Sequence, residues 1–314
     1  LSSLFPETLS AKRFRRSTLA MIMSLALAAA VLTWPVTSAK AAGTTTLSFV
    51  AHQDDDLLFM NPDIASDIQA GYNVWVVYLT AGEVPERPAM EYANQRIEGE
   101  RAAYARAAGR ANSWTYEPMY FNGHELATNR LNGTNVHLVF TYVHAAAGAC
   151  DTPDGDPQGD LYRMLHDDSF VASPIDGRAP YTRASFTGML RSIIGAVGPD
   201  YMRSPSSIGH REGDHVDHTS AAVLVADADT TGNGDTWIRR DEYQGYIIES
   251  FPENVSGYWL NEKTAIWDQY WPHDPALNDT SHRAKLSRQY RPEGRIFRPG
   301  TPWVGPGDFY VPGC

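Results

Sequence analysis

The sequence predicts an α/β fold with a mostly parallel sheet flanked by helices, and three observations carry that prediction. The runs Thr44 to Ala51 (TTTLSFVA) and Val74 to Leu79 are apolar and rich in β-branched residues, as central strands are, and each ends abruptly in a polar turn. Between them NPDIASDIQAG reads as a short helix, with Pro62 in its first turn and Gly71 beyond its end. Strand, helix, strand at this spacing makes the two strands parallel. The chain shows no internal repeat and no linker, and its 314 residues, 43% hydrophobic, suffice for one large core.

Residues 1 to 41 are expected to lie outside that core. Lys12, Arg13, Arg15 and Arg16 precede an uncharged stretch from Ser17 to Ala39, and small residues follow up to Ala41. This pattern is that of a cleaved secretory signal peptide, which leaves 42–314 as a single exported domain with no stable membrane association. A retained anchor is the alternative, because the uncharged stretch is long enough to span a bilayer. Removal of 1–41 would leave 21 basic against 36 acidic residues, shifting the net charge from -11 to about -15. So acidic a chain is poorly suited to nucleic acid. The two cysteines, Cys150 and Cys314, would be free to pair in an oxidising compartment.

Past the second strand, residues from about Pro88 to Ala108 read as a longer helix stopped by Gly109. Residues 111–180 read as a long irregular insertion, interrupted by the apolar run Asn135 to Val143. TRASFTGMLRSIIGAVGPD restores helical spacing and is closed by Gly198 and Pro199. A short strand, a loop and a helix opening near Asp217 come next, and YQGYIIES reads as a last strand before an irregular C-terminal tail. Trp259, Trp267 and Trp271 recur at helical spacing, either as a packed face or as an apolar wall for a bulky ligand.

Ligands of open parallel sheets bind outside the carboxyl ends of the strands. HQDDD, TAGE and HREGDHVDH each follow a strand, so three polar clusters share one rim. Three adjacent carboxylates repel one another unless water screens them or a cation joins them. A solvated acidic turn would satisfy the first cluster by itself, and a helix start capped by Asp217 the last. Together they supply histidine and carboxylate donors suited to a catalytic zinc with an open position for water.

The string AHQDDD resembles A-H-P-D-D-E, and HVDH resembles H-P-D-H, the two signatures of the PIG-L/LmbE family of zinc-dependent N-acetylglucosamine deacetylases. The resemblance covers roughly residues 45–110 and 198–250, and the TAGE turn and the helix bearing Arg96 and Glu100 accompany it. It implies a Rossmann-like fold, zinc ligands His52, Asp55 and His218, Asp54 as general base, and His215 as the group that stabilises the oxyanion. The leader and the insertion look like the branch acting on glycopeptide antibiotics of the teicoplanin type. The implied substrate is thus a small-molecule glycoside or glycopeptide, with another extracellular glycan or a lipid-linked glucosamine as alternatives. A secreted metal-dependent carbohydrate-binding protein without turnover is the reading from a different class.

The chain departs from the signatures at Gln53, where the family has proline, and at Asp56, where it has glutamate. Arg96 and Glu100 fit either a sugar contact or a surface ion pair, and Glu83 is an open candidate. His166 is a further candidate for the cleft. The run from Asp227 to Asp235 imitates an EF-hand start, but Ile238 stands where the bidentate glutamate belongs.

Overall fold

The computed structural model describes residues 43–146, 159–229 and 239–292. The proposed leader, both cysteines and residues 230–238 of the EF-hand-like stretch lie outside the described residues. The first apolar run forms β1, Thr45–Val50, and the second forms β2, Asn73–Tyr78, paired in parallel from Thr45 opposite Asn73 to Val50 opposite Tyr78. Between them come a π-helical turn, Asp56–Met60, and α1, Asp63–Gln69. The helix expected after β2 is α2, Ala89–Ala107.

The stretch read as irregular contributes four strands to the sheet. It contains β3, Trp114–Tyr116, β4, Met119–Phe121, β5, His124–Leu131, and β6, Val136–Phe140. β3 and β4 have three residues each and β5 is polar, so apolar alternation gives them no signal, whereas β6 falls within the apolar run Asn135 to Val143. The informative residues are Asn122 and Gly123, at φ 49° and 81°, which make the tight turn joining β4 to β5. After α3, Gly159–His166, and the small pair β7, Val171–Ala172, and β8, Tyr181–Thr182, comes α4, Arg183–Val197, opened by a Thr182–Ser185 capping box. Next are β9, Tyr201–Pro205, a 3-10 turn at Gly209–Glu212, and α5, Val216–Ala228.

The last strand is not YQGYIIES. That segment holds a 3-10 turn, Tyr246–Ser250, and the strand is the preceding β10, Arg239–Tyr243. Its sequence, RRDEY, is charged, yet Arg240 and Glu242 are buried. Glu242 Oε2 accepts from the Ser207 amide at 2.9 Å and its hydroxyl at 3.0 Å, so tertiary hydrogen bonds compensate for the absence of apolar residues. The chain then continues as α6, Gly257–Tyr270, and α7, Asp279–Arg283. The helix α6 packs on α2 and buries Ile266, Trp267 and Tyr270.

The main sheet runs β10-β9-β1-β2-β6-β5-β3, with β4 also on β5. From β10 to β6 all neighbours are parallel, while β5 is antiparallel to β6, β3 and β4. Alternation along β2 serves two cores: Trp75 and Val77 face the one with α3, α4 and α5, and Val74, Val76 and Tyr78 the one with α1, α2 and α6. Trp267 lies wholly within the second core, so packing accounts for it; Trp271, at 38% exposure, does not share that burial. Among the described residues no helix is long and apolar enough to cross a membrane.

The fold places the site through its strand order. β1 has β2 on one side and β9 on the other, so the connections leaving β1 and β9 part at their carboxyl ends and open a crevice there. The far side of that crevice depends on how closely α2 meets α6. A Cβ on Gly99 would lie 2.8 Å from Tyr270 Cδ2 and 3.0 Å from its carbonyl oxygen. Gly99→Ala should therefore destabilise the protein by about 1–3 kcal/mol despite alanine's better helix propensity, as overpacking does, and urea denaturation would measure it.

Candidate active site

Residues 51–55 leave β1 and residues 209–218 leave β9, and their side chains meet in the crevice. Asp55 lies between two imidazoles, with Oδ2 3.4 Å from His52 Nδ1 and Oδ1 2.9 Å from His218 Nε2. The remaining ring nitrogens are held from behind. His52 Nε2 is 3.0 Å from Asp217 Oδ2, and His218 Nδ1 is 3.0 Å from Asp214 Oδ1. Carboxylates that orient metal-binding histidines characteristically hold the nitrogen facing away from the metal.

Asp55 Oδ1 and His218 Nε2 are buried and neither has a hydrogen-bond partner, despite their 2.9 Å separation. Two donor atoms that approach closely without hydrogen-bonding geometry are arranged as for a shared cation. Two nitrogens and one carboxylate oxygen suit a divalent ion of the zinc type. The charges agree. Burial opposes protonation of His52, but Asp55 and Asp217 outweigh it and raise its pKa to about 9. Burial likewise opposes protonation of His218, and Asp214 and Asp55 hold its pKa well above the usual range. The carboxylates thus call for positive charge at this point.

His215 also lies here, its ring centroid 4.6 Å from that of His52. The coordinating atoms of His52, His215 and His218 fall within 4.8 Å of one another, so a three-histidine set is geometrically open. The tautomer argues against it. His215 caps α5, its Nδ1 accepting the Asp217 amide at 3.2 Å, which leaves the ring proton on Nε2. Burial, followed by the charge of His52, lowers its pKa to about 3, so it is a neutral N–H donor. Asp217, expected as the cap, instead turns its carboxylate to His52 and to the Ala146 amide, 2.7 Å away.

Asp54 is buried and has φ 113°, in the left-handed region that costs a non-glycine residue about 1–3 kcal/mol. Its Oδ1 is 2.9 Å from Arg96 Nη2. Burial raises its pKa to about 7, against the lowering effect of Arg96. Asp54, His52 and His215 line a cavity of about 520 Å³ together with Tyr92, Tyr246 and Leu277.

Arg96 is no surface ion pair, being only 7% exposed. Its guanidinium donates to the Gln53 carbonyl, to the Gly82 carbonyl at 2.7 Å and to Tyr270 Oη at 2.8 Å, and pairs with Asp274 at 3.1 Å. A Cβ on Gly82 would come within 2.3 Å of Gln53 Oε1 and 2.6 Å of Arg96 Nη1, so the glycine of TAGE makes room for this clasp. Asp56 Oδ2 accepts from Tyr78 at 2.9 Å and Tyr104 at 2.6 Å, and the Tyr78 hydroxyl oxygen also lies 2.9 Å from Glu100 Oε2. Asp56 and Glu100 thus belong to a buried network behind the site, away from the cavity. Glu83 does reach the cavity; its Oε1 is 2.7 Å from His144 Nδ1, and it accepts the Ala145 amide at 3.2 Å.

His166 stacks on Tyr162 and is absent from the cavity wall, and Asp227 pairs with Arg183 at 2.8 Å. Sequence reasoning missed the supporting roles of Asp214 and Asp217, though both sit within the quoted motif GDHVDH. Tyr270 and Asp274 gave no signal, since more than 170 residues separate them from Arg96 in the chain.

The model of the PIG-L family, described as GlcNAc-PI de-N-acetylase, matches residues 47–228. No curated protein matches the sequence. Among solved structures, the zinc-inhibited form of teicoplanin deacetylase Orf2 is similar at 18% identity, covering 77% of this chain and 90% of its own, with a TM-score of 0.43. N,N'-diacetylchitobiose deacetylase from Pyrococcus horikoshii is similar at 12% identity over 88% and 84% of the two chains, with a TM-score of 0.45. GalB, the 4-carboxy-2-hydroxymuconate hydratase from Pseudomonas putida KT2440, is similar at 14% identity over 78% and 82%, with a TM-score of 0.41.

The tautomer of His215 separates the two candidate ligand sets. Asp55→Ala and His218→Ala should each weaken zinc binding by well over 100-fold in isothermal titration calorimetry. Asp214→Ala should weaken it roughly 10- to 100-fold, and His215→Ala should leave it nearly unchanged. A loss with His215→Ala equal to that with Asp55→Ala would favour the three-histidine set.

Proposed function

The chain belongs to the PIG-L family, and from that premise we propose that it is a zinc-dependent hydrolase that removes the N-acetyl or N-acyl group from a glucosaminyl unit. The observation that carries this reading is the placement of Asp54 and His215 at one cavity beside His52, Asp55 and His218. His52, Asp55 and His218 would hold the ion. When bound there, zinc supplies Lewis acidity and makes a coordinated water acidic near neutral pH.

The protein's own groups then divide the proton chemistry. Asp54, fixed by Arg96 and a strained backbone, accepts a proton from the attacking water and returns it to the departing amine nitrogen as the C–N bond breaks. The Nε2–H of His215 donates a hydrogen bond to the amide carbonyl oxygen as negative charge develops on it. Water and amide become a carboxylate and a free amine, so no further reactant is needed.

Our reading of the acceptor is a glycopeptide antibiotic intermediate, supported by the resemblance of the leader and the long insertion to the branch acting on such compounds. An extracellular glycan or a lipid-linked glucosamine is the alternative acceptor. The leader-like residues 1–41 support export, and the acidic net charge supports a partner other than nucleic acid.

Purified protein should release amine from an N-acetylglucosamine-bearing glycopeptide, and a chelator should abolish the release. Asp54→Asn should lower kcat by about 100- to 10,000-fold while zinc stays bound. Bound zinc with no amine release from either the glycopeptide or N,N'-diacetylchitobiose would instead indicate a carbohydrate-binding protein, in which Asp54→Asn changes nothing.

A further inference from the structure

We infer that an open depression beside the catalytic cavity is a second saccharide-binding subsite, which holds sugar units of the acceptor beyond the one that is deacylated. The inference rests on the proposed function for the identity of that first unit. The depression has a volume of about 490 Å³ and is walled chiefly by Met90, Tyr116, Glu125, Tyr142, Asp176 and Arg178.

Its position follows from the fold. Tyr142 lies just beyond the carboxyl end of β6, and Ala127, in the opening half of β5, pairs with Phe140 there. Met90 and Tyr92, both in the first turn of α2, line this depression and the catalytic cavity respectively. The two cavities therefore flank one turn of a helix roughly 10 Å across. With that width between them, a ligand reaching both must be longer than a disaccharide.

The chemistry of the walls selects the ligand class. Tyr116 is 51% exposed, and such faces stack on the C–H faces of sugars. Arg178 donates to Tyr116 Oη at 2.9 Å, pairs with Asp176, and lies 3.6 Å from Glu125 and 6.0 Å from the Tyr142 ring centroid. One cation already engaged by two carboxylates does not favour an anionic ligand, while carboxylate oxygens beside an aromatic face suit hydroxyl donors. The walls are also held in place. Tyr142 sits at φ 58°, and its carbonyl accepts the Ile175 amide at 2.9 Å. That bond ties the turn bearing Asp176 to the end of the sheet, and strain of this kind persists where surrounding structure fixes the residue.

The test is calorimetric binding of N,N'-diacetylchitobiose and tetra-N-acetylchitotetraose to the Asp54→Asn protein, alone and with Tyr116→Ala or Arg178→Met added. Circular dichroism checks that each variant is folded, and the two wall substitutions serve as independent probes. The tetrasaccharide should bind about tenfold more tightly than the disaccharide, and either substitution should remove that advantage while disaccharide binding stays unchanged. Equal affinities for the two sugars, or an advantage that survives both substitutions, would overturn the subsite. Amine release from the disaccharide by the protein with Asp54 intact, without any chain-length advantage in binding, would leave the proposed function standing and remove the subsite. Chain-length-dependent binding with no amine release from any substrate would do the reverse.

Discussion

Three consecutive carboxylates, Asp54, Asp55 and Asp56, are all buried at the carboxyl end of β1, and the rest of the site is organised around compensating them. Buried charge is tolerable only when it is paired, hydrogen-bonded or neutralised by a proton. Each aspartate receives a different solution. Asp54 meets the Arg96 guanidinium, Asp55 lies between two imidazoles, and Asp56 takes two tyrosine hydroxyls. Successive side chains leaving a strand point different ways, so three environments can be built within a few ångströms.

Each solution draws in a distant part of the chain. Arg96 comes from α2 and is itself held by Tyr270 and Asp274 at the far end of α6, so the C-terminal helices fix the orientation of Asp54. His218 comes from α5 and is set by Asp214, whose Oδ1 also accepts the Tyr246 amide at 3.1 Å. Close packing at Gly82 and Gly99 leaves these groups little room to shift. The same compensation separates the roles of neighbouring groups. His52 and His218, each backed by a carboxylate, are drawn toward positive charge, whereas His215, backed by a backbone amide, stays neutral and offers a hydrogen. Chemically identical side chains therefore differ through their hydrogen-bond partners.

Much of the parallel half of the fold was legible because its strands are apolar and its helices periodic, properties that local sequence carries. The antiparallel half was not, because β3 and β4 have only three residues each and β5 is polar, and all three are stabilised by pairing with neighbours. β10 was missed for a related reason, since its charged residues are satisfied only by partners that folding brings up.

The sequence by itself determined that His52, Asp54, Asp55, His215 and His218 fall at strand ends and at a helix start, because periodicity and turn chemistry are local. Only the tertiary structure decided which nitrogen of each histidine faces the crevice, that Arg96 is a buried clasp, and that Asp56 and Glu100 lie behind the site. These depend on contacts between residues far apart in the chain, and no local pattern specifies the partner of a buried charge.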